Sequence, residues 1–185
     1  ATSFPKAPGV AEAMGRFLGE DAANPGRAGH RMAVRAEQMI DDVRLKLTRL
    51  LEGDDHHRMI FTLNGTDALN IALKSVLGHD RDQKEHVITT VLEHNSVSRP
   101  LEAMVAAGRS ELTRLACDDQ GFVDPQAIEQ AIRPTTRMIA MTHASNVLGT
   151  IQDAAAVGAI ARKHNVLFLL VAAQTAGVVP ISIKQ

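Results

Sequence analysis

Four short polar stretches in this sequence carry side chains that chemistry needs. Asn64-Gly65-Thr66-Asp67 combines small, amide and hydroxyl residues just ahead of an amphipathic run. At a helix N-terminus such residues suit a phosphate, because free backbone N–H groups and the helix dipole both favour an anion. The same four residues also read as a plain capped turn. Leu92-Glu93-His94-Asn95-Ser96 offers a histidine that could stack on a flat ring or move a proton. With eight histidines in the chain, a surface imidazole is the other reading of His94. His143-Ala144-Ser145-Asn146 opens a small, polar stretch that fits a ligand contact or an ordinary loop. In Ala172-Ala173-Gln174-Thr175, Gln174 could donate a hydrogen bond to a ligand or satisfy buried backbone.

The elements around these stretches give them a common address. Apolar runs at 58–63, 86–91, 111–116, 137–142 and 166–171 read as strands. Helical patterns separate them, over 68–77, 96–107, from Asp124-Pro125, and from Asp153 to about His164. Ahead of them lie an arm over 1–8, a short helix from Pro8 to Gly19, and a loop through Pro25 and Gly26. A long helix follows over 32–51, with Met39, Ile40, Val43, Leu47 and Leu50 at helical spacing and Gly53 as its stop. Apolar strands alternating with helices predict an α/β fold, a mainly parallel sheet with helices on both faces. Ligands of such sheets sit beyond the carboxyl ends of the strands, where all four stretches fall.

Composition narrows the function classes. The 185 residues are 45% hydrophobic and 22% charged, which is ordinary for a globular domain. A formal net charge of -1 gives no field that draws nucleic acid or an acidic membrane surface. No apolar run approaches the roughly 18 residues of a membrane span. The opening ATSFPKAPGV lacks the basic and apolar regions of a signal peptide, so a cytoplasmic protein is expected. The lone Cys117 cannot form an internal disulfide and reads as a small hydrophobe. No metal site is read.

Taken together, the stretches resemble a known family. FTLNGTDALN is similar to the phosphate turn of cysteine desulfurases, and LEHNS, ASNVLGT and LFLLVAAQTAG resemble three further blocks of that family, in its order and spacing. ATSFPK and ANPGRAGHR look like the start of its NifS-like branch, within the class V aminotransferases. The resemblance spans essentially the whole chain. It implies a partial type I PLP-dependent transferase large domain, with residues 1–31 as arm, short helix and loop and 32–185 as the N-terminal portion of that domain. The implied cofactor is pyridoxal 5'-phosphate (PLP), the implied substrate L-cysteine, and the implied assembly a homo-oligomer. By resemblance, Gly65 and Thr66 hold the cofactor phosphate. His94 stacks on the ring and serves as the catalytic proton handler. Asn146 lies near the ring's 3-oxygen, and Gln174 hydrogen-bonds that oxygen.

Two departures qualify the resemblance. The family pattern V-D-A-A-Q has an aspartate three residues before the glutamine, where this chain has Val171. That aspartate pairs with the pyridine nitrogen, a charge-assisted contact contributing roughly 1.5–3 kcal/mol. Valine supplies neither charge nor hydrogen bond. The family's Schiff-base lysine lies beyond Gln185, and Lys184 reads as a surface strand end. The expected activity is therefore PLP-dependent removal of sulfur from L-cysteine, giving alanine and an enzyme persulfide, with the cofactor absent or weakly held in this chain. The alternatives are a catalytically silent fragment, or a selenocysteine lyase or aminotransferase of the same class.

Overall fold

The computed structural model describes residues 5–26, 29–77 and 84–184. The first four residues of the arm, and Arg27 and Ala28 of the first loop, lie outside them. The chain divides into two compact units, one formed by 1–60 with 181–184 and the other by 61–180.

In the first unit Gly9 takes a left-handed conformation at φ 82° and so delays helix α1 to Val10–Arg16. A π-helical turn over Phe17–Asp21 completes the expected helix. Helix α2 covers Arg31–Leu50, and the His30 side chain caps it by accepting from the Ala33 N–H at 3.2 Å. The stop lies one residue before its expected place. Glu52 holds the left-handed conformation at φ 55°, and the Gly53 N–H returns to the Thr48 carbonyl at 2.8 Å. Gly53 is needed for closeness, since a Cβ there would stand 3.0 Å from Ile183 Cδ1 and 3.1 Å from Thr48 Cγ2. The terminal Ile183 and Lys184 form a turn and no strand, and Lys184 Nζ pairs with Asp54 at 2.8 Å.

The strand expected over 58–63 does not form. A 3-10 turn occupies His56–Arg58, and the residues after it are irregular. Apolar sequence alone does not make a strand, which also requires a neighbouring ladder. Among the described residues no strand ladder forms on this run, and Ile60 is 75% and Leu63 89% exposed.

The second unit is the α/β layer structure. Its elements are α3 (Gly65–Val76), β1 (Glu85–Thr90), α4 (Asn95–Ala106), β2 (Ser110–Leu115), α5 (Pro125–Gln130), β3 (Thr136–Thr142), α6 (Ala154–Lys163) and β4 (Leu167–Val171). The four strands are all parallel, in the order β2-β1-β3-β4. Alternation along each strand sends side chains to opposite faces. Val87, Met138 and Ala140 pack with Leu73 and Leu77 of the α3 end and with Val97, Leu101 and Met104 of α4. Ile88, Ile139 and Met141 pack on the other face with Ile128 of α5 and Val157 and Ala161 of α6. Cys117 joins this second cluster as a partly buried side chain, as its small-hydrophobe reading expects.

Candidate functional site

Parallel pairing places the carboxyl ends of β1, β3 and β4 along one edge of the sheet. The segments after these strands carry His94, Asn146 and Gln174.

At α3, Asn64 Oδ1 accepts from the Asp67 N–H at 2.9 Å, and an Asp67 carboxylate oxygen accepts from the Leu63 N–H at 3.3 Å. This reciprocal cap starts the helix at Gly65, three residues before the sequence pattern alone suggests. The first four N–H groups of a helix have no partner within it. Asn64 takes those of Asp67 and Ala68, which leaves Gly65 and Thr66. A Cβ at Gly65 would meet nothing within 4 Å, and its φ is not left-handed. Neither crowding nor backbone strain therefore demands glycine there.

His94 is the N-cap of α4. Its Nδ1 accepts from the Ser96 N–H at 3.2 Å and lies 2.7 Å from Ser96 Oγ. That contact fixes the ring's orientation and leaves Nε2 to carry the proton of the neutral ring. Thr66 and His94 line one groove of about 760 Å³ between α3 and α4, together with Asn70, Lys74, Arg99 and Arg109. Asn146 and Gln174 are not among the residues lining it.

Asn146 sits in the turn after β3. Ser145 builds that turn: its N–H donates to the Thr150 carbonyl at 3.0 Å, and its Oγ accepts from the Leu148 N–H at 3.1 Å. Asn146 itself is exposed. Gln174 is exposed as well, in a turn closed by the Ala176 N–H on the Ala172 carbonyl at 2.9 Å. Satisfying buried backbone falls to a different glutamine. Buried Gln152 accepts from the Val123 N–H at 2.9 Å and donates to the Gly121 carbonyl at 2.9 Å.

Two further groups stand at these strand ends, inside the stretches read from the sequence but not singled out there. His143 is buried, and its Nδ1 lies 2.9 Å from Thr175 Oγ1. Burial holds its pKa below the ordinary histidine value. Glu93 turns back from the loop after β1, and Oε1 accepts from Thr90 Oγ1 at 2.8 Å and from the Thr142 N–H at 2.9 Å. Burial raises its pKa above the usual carboxylate range, against the lowering effect of those two donors. The available signal was the position of Glu93 beside His94 at a strand end. Val171, the last residue of β4, is half-buried against the α3/α4 cluster.

Among the described residues, one set of metal-ligand types exists outside this edge. Asp55, His56 and His57 offer ligand atoms within 4.8 Å of one another. Asp55 is already engaged, accepting from the His57 N–H at 2.9 Å and pairing with Arg58 at 3.7 Å.

Comparison with known proteins places this geometry. The model of the family described as Aminotransferase class-V matches residues 1–185. A protein named cysteine desulfurase IscS from Vibrio cholerae is 33% identical over 187 residues, covering all of this chain and 46% of its own length. A protein of the same name from Methylococcus capsulatus is 34% identical over 185 residues. The chain spans about half the length of the curated relatives it matches. Among solved structures, SspA in complex with cysteine superimposes with a TM-score of 0.92 at 30% identity, over 99% of this chain and 52% of that one. The apo structure of cysteine desulfurase from Thermococcus onnurineus NA1 gives 0.90 at 27% identity, over 99% and 45%.

Proposed function

Because the chain belongs to the class-V aminotransferase family, we propose that it builds the phosphate and ring contacts of a PLP site in a cysteine desulfurase-type enzyme. The substrate of this reading is L-cysteine, and the products are alanine and sulfur carried away as a persulfide. The observation that carries it is the pairing of Thr66, in the first turn of α3, with the α4 cap His94 on one groove between those two helices. The names of the curated relatives and the cysteine held by SspA support the choice of substrate.

The residues fit the cofactor group by group. Two free N–H groups at Gly65 and Thr66, the first beside a position where even a Cβ would meet nothing within 4 Å, suit a phosphate. The oriented ring of His94 suits stacking on a flat heterocycle, and its Nε2–H is placed to donate. Asn146 and Gln174, both exposed on the same edge, have amides suited to the ring's 3-oxygen. When bound, the cofactor supplies an electron sink for bonds at the amino acid's α-carbon. The protein's part is to anchor the phosphate, hold the ring and keep a proton at His94. In this reading residues 32–185 are the N-terminal portion of the PLP-binding large domain, and 1–31 are its arm, short helix and loop. It is a homo-oligomer of the cytoplasm. The partly buried thiol of Cys117 fits a reducing compartment.

Alanine formed from L-cysteine tests the function. PLP-dependent formation, lowered at least about a hundredfold by His94→Ala, is the expected result. Alanine formation indifferent to PLP or to His94 contradicts the assignment.

A further inference from the structure

Five of the described histidines hand a ring nitrogen to a neighbour. His30 and His94 cap helices, His86 and His143 meet threonine hydroxyls, and His164 pairs with Glu129. His56 and His57 differ, since neither ring has a hydrogen-bond partner among the described residues. Their rings lie against each other, with centroids 4.0 Å apart and planes tilted by 37°. Asp55 stands beside them as the cap of the 3-10 turn His56–Arg58. One ligand atom from each of the three residues comes within 4.8 Å of the other two. Asp55 Oδ1 accepts from the His57 N–H at 2.9 Å, which orients the carboxylate. Its Oδ2 faces Arg58 Nε at 3.7 Å, too long for a hydrogen bond, on a side chain 88% exposed. Lys184 does not compete for Asp55, because its Nζ pairs with Asp54 at 2.8 Å.

We propose that Asp55, His56 and His57 form a surface site for a divalent transition-metal ion of the Zn²⁺, Ni²⁺ or Cu²⁺ type, with water completing its coordination. Two imidazole nitrogens and one carboxylate oxygen suit such ions, whereas Mg²⁺ and Ca²⁺ take oxygen ligands. Zinc bonds of about 2.1 Å put ligand atoms about 3.4 Å apart in a tetrahedral site. Rotation of the exposed Asp55 and His57 side chains closes that distance, with the backbone of the turn in place. The His57 N–H then supports the ligating carboxylate, as outer hydrogen bonds do in metal sites. Metal binding displaces only the long pairing of Arg58 with Oδ2. Three consecutive ligands follow none of the spacings that mark a metal site in sequence, and it is the turn that gathers them. All three residues lie in the first unit, so the inference is independent of the PLP reading.

The test titrates the whole chain, without PLP, with Zn²⁺ by calorimetry. One ion is expected to saturate one chain, and Mg²⁺ at the same concentration to give no binding heat. His56→Ala, His57→Ala and Asp55→Asn should each weaken Zn²⁺ binding about tenfold or more. Asp55→Asn keeps the cap through its amide oxygen, so its effect reports the lost carboxylate and not a lost turn. His164→Ala, on a surface histidine outside the site, should leave the affinity unchanged. Zn²⁺ should also raise the thermal midpoint of the unmodified chain, reversibly on adding a chelator, because the folded turn gathers the ligands. It should not do so in the variant carrying both His56→Ala and His57→Ala. Should the half-buried His56 prove necessary for folding, the exposed His57→Ala and Asp55→Asn decide. No saturable Zn²⁺ binding by the unmodified chain overturns the inference. So does binding as tight in His57→Ala and Asp55→Asn as in the unmodified chain, or an equal loss in His164→Ala.

Discussion

Among the described residues, burial is the leading cause of a shifted pKa at three side chains, His86, His143 and Glu93. His86 joins three strands, with Nδ1 2.7 Å from Thr136 Oγ1 and Nε2 2.8 Å from Thr113 Oγ1. Burial first, and Arg133 second, hold its pKa below the ordinary 6.5, and burial does the same to His143. As pH falls below about 6.5 the unfolded chain takes up these protons before the folded one does. The stability that both histidines contribute is therefore complete above that value and is lost as pH falls through their folded values. Thermal unfolding followed from pH 7.5 to 5 should show a falling midpoint, with a shallower fall in His86→Gln. An unchanged slope would exclude His86 as a cause. Glu93 acts with the opposite sign. Its raised pKa makes its contribution greatest below the ordinary 4.5 and smaller as pH rises through the folded value. Glu93→Gln should therefore gain stability relative to the unmodified chain as pH increases, and a constant difference across the range would contradict this. None of this was legible in the sequence, where a strand histidine beside Val87 looks like any other. The relevant fact is that Thr113 and Thr136, far apart in the chain, arrive at its two nitrogens. His94 could be read, because a capping residue depends only on its neighbours.

The elements show the same division between local and remote causes. Asp124 before Pro125, and Asp153 before Ala154, announce α5 and α6, and both aspartates cap as expected at 2.9 Å. The run at 58–63 carries an equally good strand pattern, yet it lacks a ladder among the described residues. Periodicity reports the preference of a segment and says nothing of its partner. In α2 the expected apolar stripe exists, but Met39, Val43 and Leu50 remain at least 40% exposed. The buried positions of that helix are Ala33, Ala36 and Thr48. Loops depend on remote groups too. Gln152 after β3 ties down the backbone on either side of Phe122, and no sequence pattern marked it. Gln152→Leu should lower stability by about 1–3 kcal/mol, since it strands the buried Val123 N–H. Within the sheet, Ile139→Ala should cost about 2–5 kcal/mol. Denaturant unfolding measures both, and values near zero would mean that these contacts do not form.

At the scale of the whole molecule the dominant feature is uncovered apolar surface. Sheet edge β2 is guarded by charge, with Arg114 on Glu102 at 2.7 Å and Glu111 on Arg133 at 3.0 Å. The opposite edge, β4, reads Leu-Phe-Leu-Leu-Val with no charge at all. Leu63, Val147 and Val178 of the same unit are exposed as well. Such surfaces favour association. Light scattering at micromolar concentration should find more than one chain per particle, and Val43→Glu with Leu50→Glu should reduce that. A monomer under these conditions would contradict the proposed homo-oligomer. Among the described residues no helix is long and apolar enough to cross a membrane. The fold class was readable at this scale because strands and helices alternate through the second unit, and the ordered polar blocks pointed to its carboxyl edge. The central claim is that these blocks form one PLP site there. It is tested most directly by amide chemical-shift mapping of the isotope-labelled chain during PLP titration. Saturable shifts centred on Gly65, Thr66, His94, Asn146 and Gln174 are the predicted result. Shifts scattered over surface lysines, with those five amides unmoved, would contradict it.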